Sequence, residues 1–328
     1  MSHSARPTVP DAVAKLTAQV IKAANRIRPF VVETPVEKIE GLAPAEVELF
    51  FKLENLQSTG SFKLRGASNR ILSLSPAEAA QGVIAASNGN HGLGVAAAAK
   101  AAGIAAEVYV SNHVSPSKAR RIEEYGARIK RSGDDPLEAE LAARAAASEQ
   151  GKVFISPYND IQVMAGQGTI AVELLRQLPP LDAIFVAVGG GGLIGGIGAY
   201  IKRASPQTEV VGCWPENSPV LYESIKAERI LDVAERPTLS ESTAGGLEPG
   251  SVTLEICSQV IDSSILISET EILDAMRKVR ALKGWIVEGA AAVAVAAFLK
   301  NADHYKRKKV AVVICGANVS EKVLSALG

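Results

Sequence analysis

The chain has 328 residues, 47% hydrophobic and 21% charged, which describes a globular protein of about two domains and excludes a disordered one. Thirty-five basic residues balance thirty-five acidic ones. A protein that grips nucleic acid through its phosphates needs a basic surplus, so a small-molecule partner is expected instead. Cys213, Cys257 and Cys315 are too few and too scattered for a disulfide framework or a zinc cluster, which suits a reducing cytoplasm. The N-terminal MSHSARPTVP has no apolar run and is not a signal peptide. Ala183 to Ile201 is uncharged and long enough to span a membrane, but it holds seven glycines and reads as strand, loop and helix. No membrane association is expected.

In chain order, a strand closes at Ala85–Ala86, a helix follows over Leu93–Ala102, a strand over Ala106–Val110 and a helix over Lys118–Tyr125. The alternation resumes with a strand at Ala183–Val188, a helix at Leu193–Arg203 and a strand at Glu209–Cys213. Gly289–Leu299 reads as a buried helix and Val310–Cys315 as a buried strand. Such alternation predicts an α/β protein whose mostly parallel sheets are flanked by helices. No linker divides the sequence, so two domains would require the chain to cross between them more than once. Ligands of open α/β sheets bind beyond the carboxyl ends of the strands. Four segments combine that position with unusual chemistry: Ser61–Ala67, Ser87–Gly92, Gly189–Leu193 and Cys315–Asn318.

Gly189, Gly190, Gly191 and Gly192 follow a strand and open a helix, a natural cradle for phosphate at a helix N-terminus. Gly190, Gly192 and Gly195 also satisfy G-x-G-x-x-G, with Glu216 about twenty residues on. A nicotinamide-dependent oxidoreductase is therefore an alternative outside the leading fold. Lys63 lies in Ser61-Phe62-Lys63-Leu64-Arg65-Gly66-Ala67, after a glycine turn. An amine near a phosphate cradle is what a pyridoxal phosphate enzyme needs, since the cofactor's aldehyde forms a Schiff base with lysine.

These motifs, with Ala165-Gly166-Gln167-Gly168-Thr169 and the final C-G-x-N, resemble the serine/threonine dehydratases, pyridoxal phosphate enzymes of the tryptophan-synthase-β fold type. The resemblance runs from about Val32 to the C-terminus and is closest to the short catabolic type without a regulatory domain. It implies a large cofactor-binding domain, 1–53 with 157–328, a small domain, 54–156, and the cofactor in the cleft between them. It implies that Lys63 carries the cofactor and then takes the Cα proton. Asn90 would bond the 3-oxygen, Phe62 would pack on the ring, and Gly189, Gly190, Gly191, Gly192 and Leu193 would donate to the phosphate. Ser87, Asn88, Gly89 and His91 would receive the substrate carboxylate, and Cys315 would meet the pyridine nitrogen. A thiol there cannot hold that nitrogen protonated as a carboxylate does, which favours prompt β-elimination from L-threonine, L-serine or a related β-hydroxy amino acid. A homo-oligomer, a dimer in the family, is implied too.

The pattern departs from its relatives in four places. Serine racemases carry a second serine in the loop where Asn88 stands, and an amide exchanges no proton near neutral pH, so racemisation is disfavoured. Relatives that make cysteine by β-replacement read T-S-G-N-T-G, against which His91 argues. Finally, Trp214 and Val220 replace the carboxylates of the E-P-x-x-x-x-D cation pattern, and hard cations need oxygen ligands, so no metal is expected. Gly245 also stands where relatives often have Asp, at a position that adjoins the cofactor.

Overall fold

The computed structural model describes residues 10–327, so the N-terminal segment read above as lacking a signal peptide lies outside the described residues. Ten strands form two sheets among these residues. The larger runs β1 (Val36–Lys38), β2 (Glu48–Lys52), β10 (Lys309–Val313), β7 (Ala183–Ala187), β8 (Glu209–Pro215) and β9 (Ser263–Ile267). The smaller runs β5 (Arg128–Arg131), β4 (Ala106–Val110), β3 (Val83–Ala86) and β6 (Val153–Phe154). Only the β1–β2 pair is antiparallel. The chain starts the large sheet, leaves to build the small one, and returns to finish the first, which sets β10 directly against β2. It therefore crosses between the two sheets twice, as the unbroken alternation required.

Thirteen helices cover the sheets: α1 (Asp11–Ile27), α2 (Lys63–Leu72), α3 (Pro76–Gln81), α4 (Asn90–Ala102), α5 (Pro116–Glu124), α6 (Pro136–Gln150) and α7 (Ile161–Gln177), then α8 (Gly192–Ala204), α9 (Val220–Lys226), α10 (Val252–Val260), α11 (Glu269–Lys283), α12 (Gly289–Lys300) and α13 (Glu321–Leu327). The central strands β7 and β10 are continuous apolar runs, as burial on both faces demands. In α12 every residue from Gly289 to Phe298 is buried, so its sequence shows no amphipathic stripe. The uncharged stretch Ala183–Ile201 divides into β7, a glycine turn and α8, and no helix among the described residues is long and apolar enough to cross a membrane.

The Ala165–Thr169 motif has a packing role. A Cβ at Gly166 would stand 2.5 Å from the Arg65 carbonyl oxygen, one at Gly168 would stand 2.6 Å from that of Gly196, and one at Gly196 would strike the Met164 carbonyl. Without side chains at these crossings, α2, α7 and α8 meet backbone to backbone. Gln167 lies between the two glycines and accepts the Gly66 N–H at 3.1 Å.

Beside this crossing four charges are buried together. The Arg65 guanidinium donates to both oxygens of Glu54 (2.7 and 2.9 Å) and of Glu173 (2.7 and 2.8 Å), and Lys52 donates to Glu173 at 2.6 Å. Burial works against the Glu54 carboxylate, yet Arg65 and Lys52 hold its pKa below the ordinary value. The cluster is neutral in sum, and it ties α2 to β2, to the turn after it and to α7. Removing one partner from such a set leaves an unpaired buried charge, which costs about 3–5 kcal/mol. We expect Arg65→Leu to lower the melting temperature by on the order of 10 °C, measured by thermal unfolding; a loss of a degree or two would show that Glu54 and Glu173 are not held against Arg65.

Candidate active site

Beyond the end of β10, residues 60–62 run antiparallel to residues 315–317. Asn55 N–H donates to the Ile314 carbonyl (2.9 Å), Phe62 N–H to that of Cys315 (3.0 Å), and Ala317 N–H to that of Gly60 (3.0 Å), around a bridge between Ser61 and Gly316. This pairing delivers Lys63, the first residue of α2, to the thiol of Cys315. The Lys63 ammonium donates to the Pro157 carbonyl at 2.8 Å and lies 5.2 Å from the centre of the Phe62 ring. Removal from water lowers its pKa to about 8, against the pull of Glu288 and Cys315. About a tenth is thus a free amine at pH 7, far more than for an ordinary lysine, and the free amine is the form that attacks an aldehyde.

The Ser87–Gly92 loop joins β3 to α4 across from Lys63. Ser87 Oγ accepts the Gly89 N–H at 3.0 Å, and a Cβ at Gly89 would meet nothing, so this turn faces open space. His91 Nε2–H donates to the Ile155 carbonyl at 2.8 Å; burial, and then the Lys63 charge, push its pKa to about 3. It is a neutral imidazole that braces the loop. The Asn88 amide is committed elsewhere: it donates to Ser111 Oγ and accepts the Ser111 N–H, both at 2.9 Å.

The four glycines Gly189–Gly192 that open α8 each face protein on their Cβ side. The Tyr158 ring would stand 2.5 Å from a Cβ at Gly190, the Thr243 carbonyl oxygen 2.6 Å from one at Gly189, and the Tyr158 backbone 2.9 Å from one at Gly192. Gly191 has φ +88° and accepts the Cys257 thiol at 3.5 Å. The glycines are thus demanded by packing as well as by turn geometry. No side chain caps the N-terminus of α8, nor those of α1, α2, α4, α9 and α12. By contrast α3, α5, α6, α7, α10 and α11 are each capped by a serine or aspartate. First-turn N–H groups have no carbonyl within their helix to bond, and the uncapped starts of α2, α4, α8 and α12, at Lys63, Asn90, the glycine turn and Glu288, are suited to anions. The donors fit a phosphorylated cofactor and a carboxylate substrate.

Two side chains that sequence reasoning missed lie at the centre. Glu288, the residue before α12, is buried; its carboxylate accepts from Asn90 Nδ2 (2.7 Å) and from the Cys315 thiol (3.5 Å). Burial raises its pKa, partly offset by those two bonds, the Ser242 hydroxyl and the Lys63 charge. Burial, and then Glu288, push the Cys315 thiol well up, so it is a protonated donor. Asn318 donates to Asn90 Oδ1 at 2.6 Å. The signal for Glu288 was a lone carboxylate opening a wholly apolar helix; for Asn318 it was its place in the C-G-x-N motif. Trp214 and Val220, where the cation pattern would need carboxylates, are both buried, with Trp214 packed on Tyr222 at 5.5 Å between ring centres. Among the described residues no three His, Cys, Asp or Glu side chains are grouped to hold a metal.

Residues 27–316 match the family described as pyridoxal-phosphate dependent enzyme. The chain belongs to this family. It is 40% identical over 280 residues to an L-threonine ammonia-lyase of Thermotoga maritima, covering 85% of this chain and 69% of the relative. Its fold superposes on the processed form of threonine deaminase isoform 2 from Solanum lycopersicum with a TM-score of 0.92 at 28% identity, covering 100% of this chain and 95% of that one. It is also similar to maize serine racemase, with a TM-score of 0.88 at 31% identity over 94% and 95% of the two chains. Family membership replaces the dinucleotide reading. Gly190 is covered by Tyr158, a Cβ at Gly195 would stand 2.5 Å from the Met164 methyl, and Glu216 is exposed beyond β8.

The chain's cofactor is therefore pyridoxal phosphate, and the lowered Lys63 pKa has a direct consequence. Lys63 is mostly protonated below about pH 8 and mostly free above it. The rate at which cofactor-stripped protein takes up pyridoxal phosphate should rise with pH about a midpoint near 8, followed by visible absorbance. A midpoint near 10.4, the ordinary lysine value, would show that the attacking amine is an exposed one.

Proposed function

We propose that this enzyme is a lyase that removes water and then ammonia from L-threonine, L-serine or a related β-hydroxy amino acid, yielding a 2-keto acid. The observation that carries the reading is a lysine with a depressed pKa at the uncapped start of α2, beside the buried Cys315 thiol and Glu288. The family, an ammonia-lyase relative and a deaminase fold neighbour support it. Bound pyridoxal phosphate supplies an electron sink conjugated to the substrate's Cα.

The chain's own residues do the rest. Lys63 would anchor the cofactor and, as a free amine, would take the substrate's Cα proton. The N–H groups of Gly189, Gly190, Gly191, Gly192 and Leu193 hold the phosphate. Phe62 would pack on the ring, Asn90 would bond the 3-oxygen, and Cys315 would face the ring nitrogen. Ser87, Asn88, Gly89 and His91 form the turn that receives the substrate carboxylate, with His91 contributing no charge. The hydroxyl leaves from Cβ as the Cα proton is lost, and the released enamine is hydrolysed by water to keto acid and ammonia. The division into 1–53 with 157–328 and 54–156 follows the two sheets. Three free, buried cysteines suit a cytoplasmic enzyme, and a homodimer follows the family resemblance.

Lys63→Ala should abolish both keto-acid formation and borohydride-fixed cofactor, read by a coupled keto-acid assay and by mass. Lysine is asked to be anchor and base at once, so general-base loss alone predicts at least about 10²–10⁴-fold. Turnover within tenfold of wild type would mean that another lysine serves.

The racemase neighbour makes a second reaction worth weighing. Racemisation needs a proton donor on the second face of Cα, and the Asn88 amide is tied to Ser111 at both ends. Asn88→Ser should raise D-serine relative to pyruvate several-fold, measured by chiral chromatography. An unchanged ratio would place the limit on racemisation elsewhere.

A further inference from the structure

Asn90 has two chemically opposite ends, and only its N–H end can stabilise an ionised 3-oxygen. The bonds around it determine which end faces the cleft. The Thr59 carbonyl can only accept, and it accepts from Asn318 Nδ2 at 2.9 Å. The Arg121 guanidinium can only donate, and it donates to Asn318 Oδ1 at 2.9 Å. Asn318 is thus fixed at both ends by partners that cannot exchange roles. Its second N–H reaches the Asn90 side chain at 2.6 Å, so that atom of Asn90 must be the acceptor, Oδ1. Asn90 Nδ2 is then turned into the cleft, where it gives one hydrogen to Glu288 at 2.7 Å and keeps a second to donate. Asn90 is buried, with 8% of its surface exposed, so water does not easily substitute for these partners.

We propose that Asn318, acting with Glu288, is a positioning residue that locks the Asn90 amide with an N–H toward the cofactor's 3-oxygen. The proposal rests on the assignment of Asn90 to that oxygen. A donor at the oxygen favours its ionised form, and with it the visible over the near-ultraviolet absorption of the lysine-bound cofactor. The charged or titratable groups facing this relay are Lys63, Glu288 and the protonated Cys315 thiol on the cleft side and Arg121 on α5. Because Arg121 belongs to the small-sheet side, the lock also spans the two sheets.

The test compares holoenzymes by absorption across pH. In Asn318→Asp the new carboxylate can only accept, so it repels Asn90 Oδ1 instead of holding it, and the amide is no longer locked with its N–H toward the cleft. A lost donor of this kind shifts the equilibrium about tenfold, so the visible-to-near-ultraviolet ratio at neutral pH should fall by about tenfold. Asn318→Ala, which merely releases the amide, should give a smaller fall and carries the test if the aspartate variant does not fold. The same substitutions in an Asn90→Ala background should change the ratio no further, because the effect passes through Asn90. An unchanged ratio in both Asn318 variants, with borohydride still fixing cofactor at Lys63, would overturn the lock. So would an equal fall in the Asn90→Ala background. Wild-type protein whose cofactor is not fixed at Lys63 by borohydride would instead overturn the site reading beneath it.

Discussion

The main-chain pairing of residues 60–62 with residues 315–317 is the interaction on which the cleft depends. It joins segments at opposite ends of the chain: Thr59 and Asn318 are 259 residues apart yet bonded. The entropy of closing so long a loop grows only slowly with its length, and the parallel pairing of β10 with β2 already contributes most of that closure. Lys63, Phe62, Cys315 and Asn318 reach one place because both segments leave neighbouring strands at the same edge of the large sheet. A slip in that pairing would move every one of these groups at once.

The electrostatics of the cleft follow from the helices that open on it. Each uncapped N-terminus forgoes about 1 kcal/mol that a serine or aspartate cap contributes elsewhere in the same fold. The N–H groups remain available to a ligand instead. The titratable groups around them are biased toward neutrality: Lys63 by burial, His91 by burial and by Lys63, Cys315 by burial and by Glu288. A cleft with positive helix ends and few fixed charges can take a phosphate and a carboxylate together. The Arg65 cluster keeps its own strong charges two residues away, paired among themselves, and holds the lysine helix still.

Strands and helices of continuous or alternating apolar pattern were readable from the sequence, since local burial writes them directly. Ala106–Val110 forms β4 as expected, and Gly289–Leu299 is the core of α12. Helix starts were less accurate: α4 begins at Asn90 rather than Leu93, because the S-x-G-N turn itself opens the helix without an apolar marker. The short strands β1 and β6 were invisible, since two or three residues carry no period. The A-G-Q-G-T glycines were legible as a motif, but their packing role was not. That role exists only where three helices cross.

By itself the sequence determined the order of the motifs, the lysine among them, the glycine turn before a helix and the alternation that makes parallel sheets. Each of these is a local pattern, set by the residues within a few positions. Only the tertiary structure decided that Glu288 lies between Asn90 and Cys315, that Asn318 grips Asn90, and that Asn88 is held by Ser111. These contacts join residues far apart in sequence, and a side chain's partner across a cleft leaves no periodic trace. The pKa of Lys63 belongs to the same class: its identity is written in the chain, but its depressed proton affinity comes from the walls that close around it.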